Sequence, residues 1–460
     1  MPAHASFRFA TAWLPQGWRD NVVVTIDPVG NIVSVIPEDA GTPATNVSGA
    51  AIPAMPNVHS HAFQRAMAGL AEHRAADRDS FWTWRKTMYD LARRMTPEWL
   101  NAIAAQVYVE MLKAGYATVC EFHYLHNQAD GRPYENRRAM LEAIVDAASA
   151  SGIGMTLLPT LYQTSDFGGT PPTERQRQFV LDTEVFVALF DSLRSASSHQ
   201  LNVGVALHSL RAVPPAALKE VLQALSHRKC PVIHIHIAEQ EAEVAASLRY
   251  SGRRPVEWLL ENVAVDKRWC LVHATHANDA EIDAVARSGA TIALCPTTEA
   301  NLGDGIFPLM KYLAADGAMA IGSDSHIAIS AAEEMRWLEY QARLLGRERN
   351  VLSGAAGSTG SRLWRLACAG GAQACGRAVG ALEAGRRADI VVLDLQSAAL
   401  AERKGDAIID TFIFSGQPGM VRDVMVGGRW LVQDGRHFAE IPIAAGYRRA
   451  MHSLMSLETE

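Results

Sequence analysis

The chain has 460 residues, with 43 Lys plus Arg against 49 Asp plus Glu, and a formal net charge of −6. Hydrophobic residues make up 48% of it and charged residues 20%, a composition typical of a globular protein with a sizeable core. Because no block of like charge occurs, we do not expect nucleic acid or an anionic membrane surface as a partner. The length fits two or three domains, or one large barrel with an accessory piece.

The cysteine pattern and the N-terminus bear on the compartment. Six cysteines lie mostly in apolar, strand-like runs without CxxC spacing, which predicts reduced thiols in the core. No basic segment followed by an apolar stretch opens the chain, and no window reaches the ~18 consecutive apolar residues of a membrane helix. These features predict a cytoplasmic protein.

The two chain ends share a strand-and-turn composition. Residues 1–50 alternate short apolar runs with turn signals such as Asp27-Pro28 and Gly30-Asn31, a pattern typical of a small antiparallel sheet. The same composition returns over residues 381–445. We therefore expect both ends to form one small β-sandwich domain, followed by a C-terminal helical tail over residues 446–460.

Between these ends, residues 51–380 carry apolar runs of strand length that are separated by helical patterns. Nearly continuous apolar character is typical of parallel strands covered on both faces. Eight such βα units predict an α/β fold, a distorted TIM (β/α)8 barrel, with a doubly wound sheet as the alternative. The predicted strands are 51–58, 116–122, 152–161, 201–207, 231–237, 268–272, 290–295 and 317–321.

Polar side chains follow these strands in unusual number. In a TIM barrel the C-terminal strand ends meet at one mouth, where active sites lie, whereas a doubly wound sheet would scatter them. The barrel therefore predicts one shared cavity. The residues concerned are His59, His61, Glu121, His123, Tyr162, His208, His236, His273, Thr297, Glu299, Asp324 and His326.

Several of these residues have the chemistry of metal ligands. His59-Ser60-His61 places two imidazoles on one face of an extended chain, although an isolated pattern of this kind is more often a pair of surface or turn histidines. After the fifth strand, His234 and His236 both have suitable spacing, and both could instead be buried core histidines. His273 and Asp324 follow. Three histidines and one carboxylate suit Zn²⁺ or Fe²⁺ and leave a position for water.

With these residues the chain resembles the metal-dependent amidohydrolase superfamily over nearly its whole length. The resemblance implies that one divalent metal per chain, Zn²⁺ in preference to Fe²⁺, is bound by His59, His61, His236 and Asp324. It also implies proton transfer by Glu239, His273 and Asp324. Two-metal members carry a bridging lysine after the fourth strand, and residues 201–209 contain none. The matching segments are 56–61, His236 with Glu239, His273, Ser323-Asp324 and 380–394.

The spacing His-x-x-Glu after the fifth strand is similar to that of the superfamily branch that hydrolyses C=N bonds and releases ammonia. Within it, segments 61–65, 81–85, 121–127 and 208–211 resemble the formimidoylglutamate deiminases of bacterial histidine degradation. This resemblance implies a homodimer and a small dicarboxylate substrate, since arginine forks bind carboxylates bidentately. The residues implied in substrate binding are Gln64, Arg85, Tyr124, His208 and Arg211.

The sequence leaves open other roles for Arg85 and other functions for the chain. Arg85 could be an exposed helix residue, or could act in a neighbouring subunit. A deaminase of guanine, an aminopyrimidine or an adenosine-like compound would need stacking aromatics and amide groups for a flat ring. A non-catalytic relative would have lost ligands, yet every metal and proton-transfer position is filled. His126, His276 and His326 are assigned to loops or to supporting contacts.

Overall fold

The computed structural model describes residues 4–38, 41–73, 80–355, 357–417 and 419–456. Its first four strands are partly exposed, and the last five residues of the fourth are buried. They are β1 (Ala5–Leu14), β2 (Gly17–Ile26), β3 (Ile32–Ile36) and β4 (Thr45–Pro53).

The next strands form a closed parallel barrel, because the last of them pairs with the first and the remaining neighbours pair in turn. Nearly every strand residue is buried, as expected where helices cover the outer face. The fourth barrel strand is interrupted at Gly204, so it counts as two segments. The bounds are β5 (Met55–Ser60), β6 (Tyr116–His123), β7 (Gly154–Leu161), β8 (Leu201–Val203), β9 (Val205–Ser209), β10 (Ile233–Ile237), β11 (Trp269–His273), β12 (Thr291–Leu294) and β13 (Ala318–Ile321).

A second sheet combines both chain ends. After the barrel the chain adds β14 (Ile390–Leu393), β15 (Val421–Val426), β16 (Arg429–Gln433) and β17 (Arg436–His437). The order is β17-β16-β15-β14-β4-β1-β2-β3, in which β14 pairs antiparallel with β4. Apolar side chains such as Phe9, Val24 and Ile390 form a separate core on this sheet. The predicted combination of a TIM barrel with a smaller β unit from both ends is confirmed.

Helices cover the barrel and begin at recognisable caps. Thr96 accepts a hydrogen bond from the Trp99 amide, and Asn278 forms a reciprocal capping box with Glu281. The helices are α1 (Phe81–Ala92), α2 (Pro97–Lys113), α3 (Ala139–Ser151), α4 (Thr183–Arg194), α5 (Pro215–Ser226), α6 (Glu241–Ser251), α7 (Pro255–Asn262), α8 (Asp279–Ser288), α9 (Pro296–Leu302), α10 (Leu309–Ala314), α11 (Ala331–Gly346), α12 (Thr359–Cys375), α13 (Ala407–Ser415) and α14 (Glu440–Ser456).

Two element bounds differ from the sequence prediction. The apolar run predicted as one strand from residue 51 to 58 is divided, because residues 51–53 end β4 in the small sheet and β5 starts at Met55. Both pieces are fully buried, so hydrophobicity alone does not mark the boundary. The terminal helix starts at Glu440 rather than at residue 446.

Two predictions about the whole chain can be compared with the fold. All six cysteines are free and buried, as predicted. Across the part of the chain that the structure describes, no helix combines the length and the apolar character that crossing a membrane would require.

Candidate metal centre and active site

Four side chains meet at the C-terminal mouth of the barrel. The Nε2 atom of His236 lies 3.0 Å from Nε2 of His59 and 3.3 Å from Nε2 of His61. Oδ1 of Asp324 lies 3.5 Å from each of the two Nε2 atoms of His59 and His61. These are the four residues that the sequence predicts as metal ligands, and the structure brings all of them together.

The spacing of these atoms fits one divalent ion between them. Ligand atoms ~2.1 Å from one ion lie between about 3.0 Å apart at a right angle and about 4.2 Å apart on opposite sides of it, and four separations in this quartet are 3.0–3.5 Å. A cation between these four atoms would offset the repulsion between their lone pairs. We therefore describe this quartet as a candidate divalent metal site.

The second ring nitrogens fix how two of the imidazoles point. Nδ1 of His61 lies 2.8 Å from the Phe122 carbonyl, and Nδ1 of His236 lies 2.9 Å from the His208 carbonyl. A carbonyl only accepts, so each Nδ1 carries hydrogen and each Nε2 keeps its lone pair toward the centre. Burial lowers the pKa of His59, His61 and His236, which keeps the rings in the neutral form that binds metals.

His234 is separated from this centre by its place in the strand. It lies two residues before His236 on the same face of β10, one strand step deeper in the barrel, and its Nε2 is 2.8 Å from the Ala374 carbonyl in α12. The sequence leaves open whether His234 or His236 is the candidate ligand. In the structure only the Nε2 atom of His236 reaches the other imidazoles.

A buried carboxylate holds the segment with the first two histidines. Glu121 accepts hydrogen bonds from the Ser60 hydroxyl at 2.5 Å, the Ala62 amide at 2.7 Å and the Tyr108 hydroxyl at 3.1 Å. Burial raises the pKa of Glu121 to about 7. Glu121 thus supports the turn after β5 from the neighbouring strand β6, with no contact to the quartet given by the structure.

A second network places Asp324 after β13. The Asn57 side chain donates to the Ser323 hydroxyl at 2.6 Å, and His326 lies 3.0 Å from both that hydroxyl and the Ser60 hydroxyl. Asp324 and His326 have φ values of 43° and 60°, a conformation that non-glycine residues rarely adopt and that persists only where the surroundings enforce it. The network supplies that enforcement, and His326 has the supporting role expected of it.

Glu239, His273 and Asp324 surround one point beside the quartet. Nε2 of His273 lies 3.8 Å from Oε1 of Glu239 and 3.7 Å from Oδ2 of Asp324. Burial opposes charge on His273, but Glu239, Glu299 and Asp324 together outweigh it and raise its pKa to about 10. Burial also raises the pKa of Glu239 to about 7. Strongly shifted groups in one cavity are a mark of proton-transfer sites.

Three of the predicted substrate residues lie next to the quartet. The Gln64 amide donates to the Tyr124 hydroxyl at 3.0 Å, and its Oε1 is buried without a partner in the described part of the chain. The Tyr124 ring centre lies 5.1 Å from that of His61, and the His208 ring centre 5.1 Å from that of His236. These groups therefore line the same cavity as the candidate ligands.

The two predicted arginines reach the same region. Arg211 is 8% exposed, and its Nε is buried without a partner among the described residues; the same holds for Nη1 of Arg85. Burial is the main cause of the lowered pKa of His208, and the nearby positive charges of Arg211 and Arg85 lower this pKa further. Arg85 also lies 4.3 Å over the Trp82 ring. It is thus neither fully exposed nor remote from this cavity.

Other polar residues predicted at the mouth make local contacts instead. Thr297 donates to the buried Glu334 at 2.6 Å. His123 and His126 bind the carbonyls of Leu125 and Thr160 at 2.7 Å and 2.9 Å. These side chains stabilise the strand ends and have no contact with the quartet in the described structure.

Comparison with known proteins decides the family. The sequence profile of the amidohydrolase family matches residues 50–431, most of the chain. The chain belongs to the amidohydrolase family. The resemblance predicted from the sequence motifs is confirmed.

Individual relatives of this amidohydrolase match it over most of its length. It is 51% identical over 448 residues to a formimidoylglutamate deiminase of Pseudomonas aeruginosa, covering 96% of this chain and 98% of the relative. It is 26% identical to a 5-methylthioadenosine/S-adenosylhomocysteine deaminase of Natronomonas pharaonis, covering 90% and 88%. The crystal structure of an amidohydrolase from Brucella melitensis superposes with a TM-score of 0.93 at 44% identity, covering 98% and 100%.

Three buried carboxylates of this amidohydrolase lie around the site without a role assigned from the sequence. Glu243 accepts the Glu239 amide at 3.1 Å, Asp304 accepts the Gln240 side-chain amide, and Glu299 contacts His273. Sequence reasoning lists Glu299 among the mouth residues but gives it no function. Its contact joins residues that are 26 positions apart on different barrel units, and no local spacing signals it.

Proposed function

We propose that this amidohydrolase hydrolyses the formimidoyl C=N bond of N-formimidoyl-L-glutamate, giving N-formyl-L-glutamate and ammonia. The observation that carries the proposal is the 51% identity to a formimidoylglutamate deiminase over nearly both full chains. Water supplies the oxygen of the formyl group, and both of its hydrogens go to the imino nitrogen, which leaves as ammonia when the C=N bond has been broken.

One divalent metal per chain, Zn²⁺ in preference to Fe²⁺, is proposed to be held by His59, His61, His236 and Asp324. Three neutral imidazoles and a carboxylate are a donor set that Zn²⁺ accepts in catalytic sites. A bound divalent metal supplies a Lewis acid that makes water a nucleophile at neutral pH.

The remaining chemistry is proton transfer by this chain's own residues. Of the two candidate proton acceptors, Asp324 is placed to accept the proton of the attacking water, and the His273 ring, whose Nε2 lies 3.7 Å from Oδ2 of Asp324, to orient the attack. Glu239, 3.8 Å from the same Nε2, is placed to deliver protons to the imino nitrogen. Its raised pKa of about 7 suits a group that both takes and gives a proton near neutrality.

Two guanidiniums explain why the substrate would be a dicarboxylate. Arg211 and Arg85 have buried N–H groups without partners in the described structure, and such groups cost free energy until an acceptor binds them. Each can take one carboxylate of the glutamyl part in a charge-assisted pair. Gln64, Tyr124 and His208, which lie next to the quartet, are proposed to orient the formimidoyl end.

A deaminase of flat ring substrates is the alternative. The ring centre of His208 lies 5.4 Å from that of Tyr124 and 4.7 Å from that of Tyr162. These three rings could stack on a flat substrate. However, a neutral ring leaves both buried guanidiniums without an acceptor, which favours the dicarboxylate.

Ammonia release from a small panel tests the proposal. The panel contains formimidoylglutamate, guanine, cytosine and adenosine, and metal content is measured on the same sample. We expect release from formimidoylglutamate and about one equivalent of zinc per chain. Preference for a nucleobase would overturn the substrate, and two equivalents of metal would overturn the single-metal site. Light scattering tests the proposed homodimer.

The variant Arg211→Met tests carboxylate recognition separately. It removes the guanidinium but keeps an unbranched chain, so kcat/KM for formimidoylglutamate should fall by the equivalent of about 2–5 kcal/mol while metal content stays unchanged. Arg228→Met is the control. Arg228 lies away from the site, where its Nε is 2.8 Å from a carboxylate oxygen of Asp191. Equal kcat/KM in Arg211→Met and in the parent would contradict the assignment.

A further inference from the structure

Glu299 is a buried carboxylate next to the proton-transfer residues. It lies in the first turn of α9, its side chain is 3% exposed, and its Oε1 is 3.2 Å from Nδ1 of His273. The same oxygen accepts the Cys295 backbone amide at 2.9 Å. Both contacts point the carboxylate at the back of the His273 ring, on the side away from the quartet.

This contact determines which nitrogen of His273 faces the reaction. A carboxylate in contact with an imidazole accepts the hydrogen of the nearer nitrogen, so Nδ1 carries hydrogen and Nε2 is the nitrogen that exchanges protons. Nε2 is also the atom that lies 3.8 Å from Glu239 and 3.7 Å from Asp324. Without an acceptor at Nδ1, this contact would no longer hold the ring in its orientation.

The backbone conformation at His273 requires stabilising contacts such as the one with Glu299. His273 and Ala274 have φ values of 68° and 49°, a strained conformation that must be held by surrounding contacts. Glu299 supplies one from the next barrel unit, since Cys295 directly follows β12 and α9 begins at Pro296. The end of β11 is thereby fixed relative to the end of β12.

We propose that Glu299 is a positioning residue, whose carboxylate binds the Nδ1–H of His273 and keeps Nε2 aimed at the point it shares with Glu239 and Asp324. The inference deepens the proposed deiminase function and rests on it. Glu299 itself is assigned no contact with substrate or metal.

Kinetics of Glu299→Ala and Glu299→Gln test this role. Positioned acid–base groups contribute typically ~10²–10⁴-fold, so Glu299→Ala should lower kcat within that range while KM and metal content stay within about twofold. Glu299→Gln keeps an oxygen that can accept the Nδ1–H, and its kcat should lie between those of the parent and the alanine variant. A change in KM alone, or loss of metal along with activity, would overturn the proposal.

Two controls separate positioning from a general structural effect. Glu339 is also fully buried, but it binds Arg343 and the amides of Val351 and Leu352, so Glu339→Gln should lower the melting temperature and leave kcat unchanged. In a His273→Asn background, Glu299→Ala should cause no further loss of kcat. Additive losses would show that Glu299 acts independently of His273.

A spectroscopic measurement decides the question without turnover. With ¹⁵N-labelled histidine in the metal-loaded enzyme, and His273→Asn to assign the signal, Nδ1 of His273 should carry hydrogen in the parent and lose that single state in Glu299→Ala. An Nδ1 without hydrogen in the parent, or identical spectra, would reject the proposal. If formimidoylglutamate is not hydrolysed, the proposed function fails while this spectrum still tests Glu299.

Discussion

Which ring nitrogen is free decides what a histidine can do in this barrel. On β10, His236 directs Nε2 at the other imidazoles, whereas His234 uses Nε2 to bind the Ala374 carbonyl. His236→Ala should therefore lose the metal, because it removes one of four ligands. His234→Gln keeps a donor for Ala374 and should retain the metal. Elemental analysis of the two purified variants checks both expectations; undiminished metal in His236→Ala would contradict the ligand set.

Glu239 provides a second contrast at the scale of single residues. Glu239→Gln keeps size but cannot relay protons, so kcat should fall ~10²–10⁴-fold with metal content unchanged. Glu241→Gln is the matched control, since Glu241 lies two positions later and is exposed at the start of α6. Stopped-time ammonia assays at saturating substrate measure the difference. Near-normal turnover in Glu239→Gln would place the relay on another residue.

How far a residue's role can be predicted depends on whether its partner is local. His59 and His61 are predictable because side chains at i and i+2 of a strand share a face. The positions of His273 and Asp324 at strand ends follow from the barrel rule. Glu299 has a role only through a contact between different barrel units, and no periodicity encodes such a pair.

At the scale of elements, continuous apolar character predicts buried strands but not the sheet to which each strand belongs. The eight barrel strands appear in the sequence close to their structural positions, because both faces of each are covered. The boundary between β4 and β5 is missed for the same reason, since both strands are buried along the shared run. The terminal helix starts before the predicted residue because Pro442, which usually signals a break, lies in its first turn, where proline is tolerated.

The close approach of two strand ends makes a further prediction at this scale. A Cβ atom on Gly322, which follows β13, would lie 2.6 Å from Cβ of His59. Gly322→Ala should therefore displace His59, lower stability by about 1–3 kcal/mol and weaken metal retention. At Gly346, the last residue of α11, an added Cβ meets nothing within 4 Å. Urea unfolding with metal analysis should show a loss only in Gly322→Ala; unchanged values there would mean that the strand ends can separate freely.

For the whole molecule, the number of buried histidines links stability to pH. Burial lowers the pKa of His123 to about 3 and of His126 and His234 to about 4. An unfolded chain protonates these rings below about 6.5, but the folded chain does not until far lower pH. Unfolding thus takes up protons in this window, and each such ring makes the free energy of unfolding fall as the pH falls.

His126 allows this linkage to be measured outside the metal site. Its Nε2 donates to the Thr160 carbonyl at 2.9 Å, and His126→Gln keeps a donor but removes the titrating ring. Between pH 6.5 and about 4, the parent should lose up to about 1.4 kcal/mol more stability per pH unit than the variant, because its unfolded state binds one more proton. Metal release at low pH affects both proteins alike, so the difference between their urea unfolding curves isolates His126. His452→Gln, at an exposed position on α14, should follow the parent. If His126→Gln and the parent lose stability in parallel from pH 6.5 to 4, the ring at position 126 is not held neutral by burial.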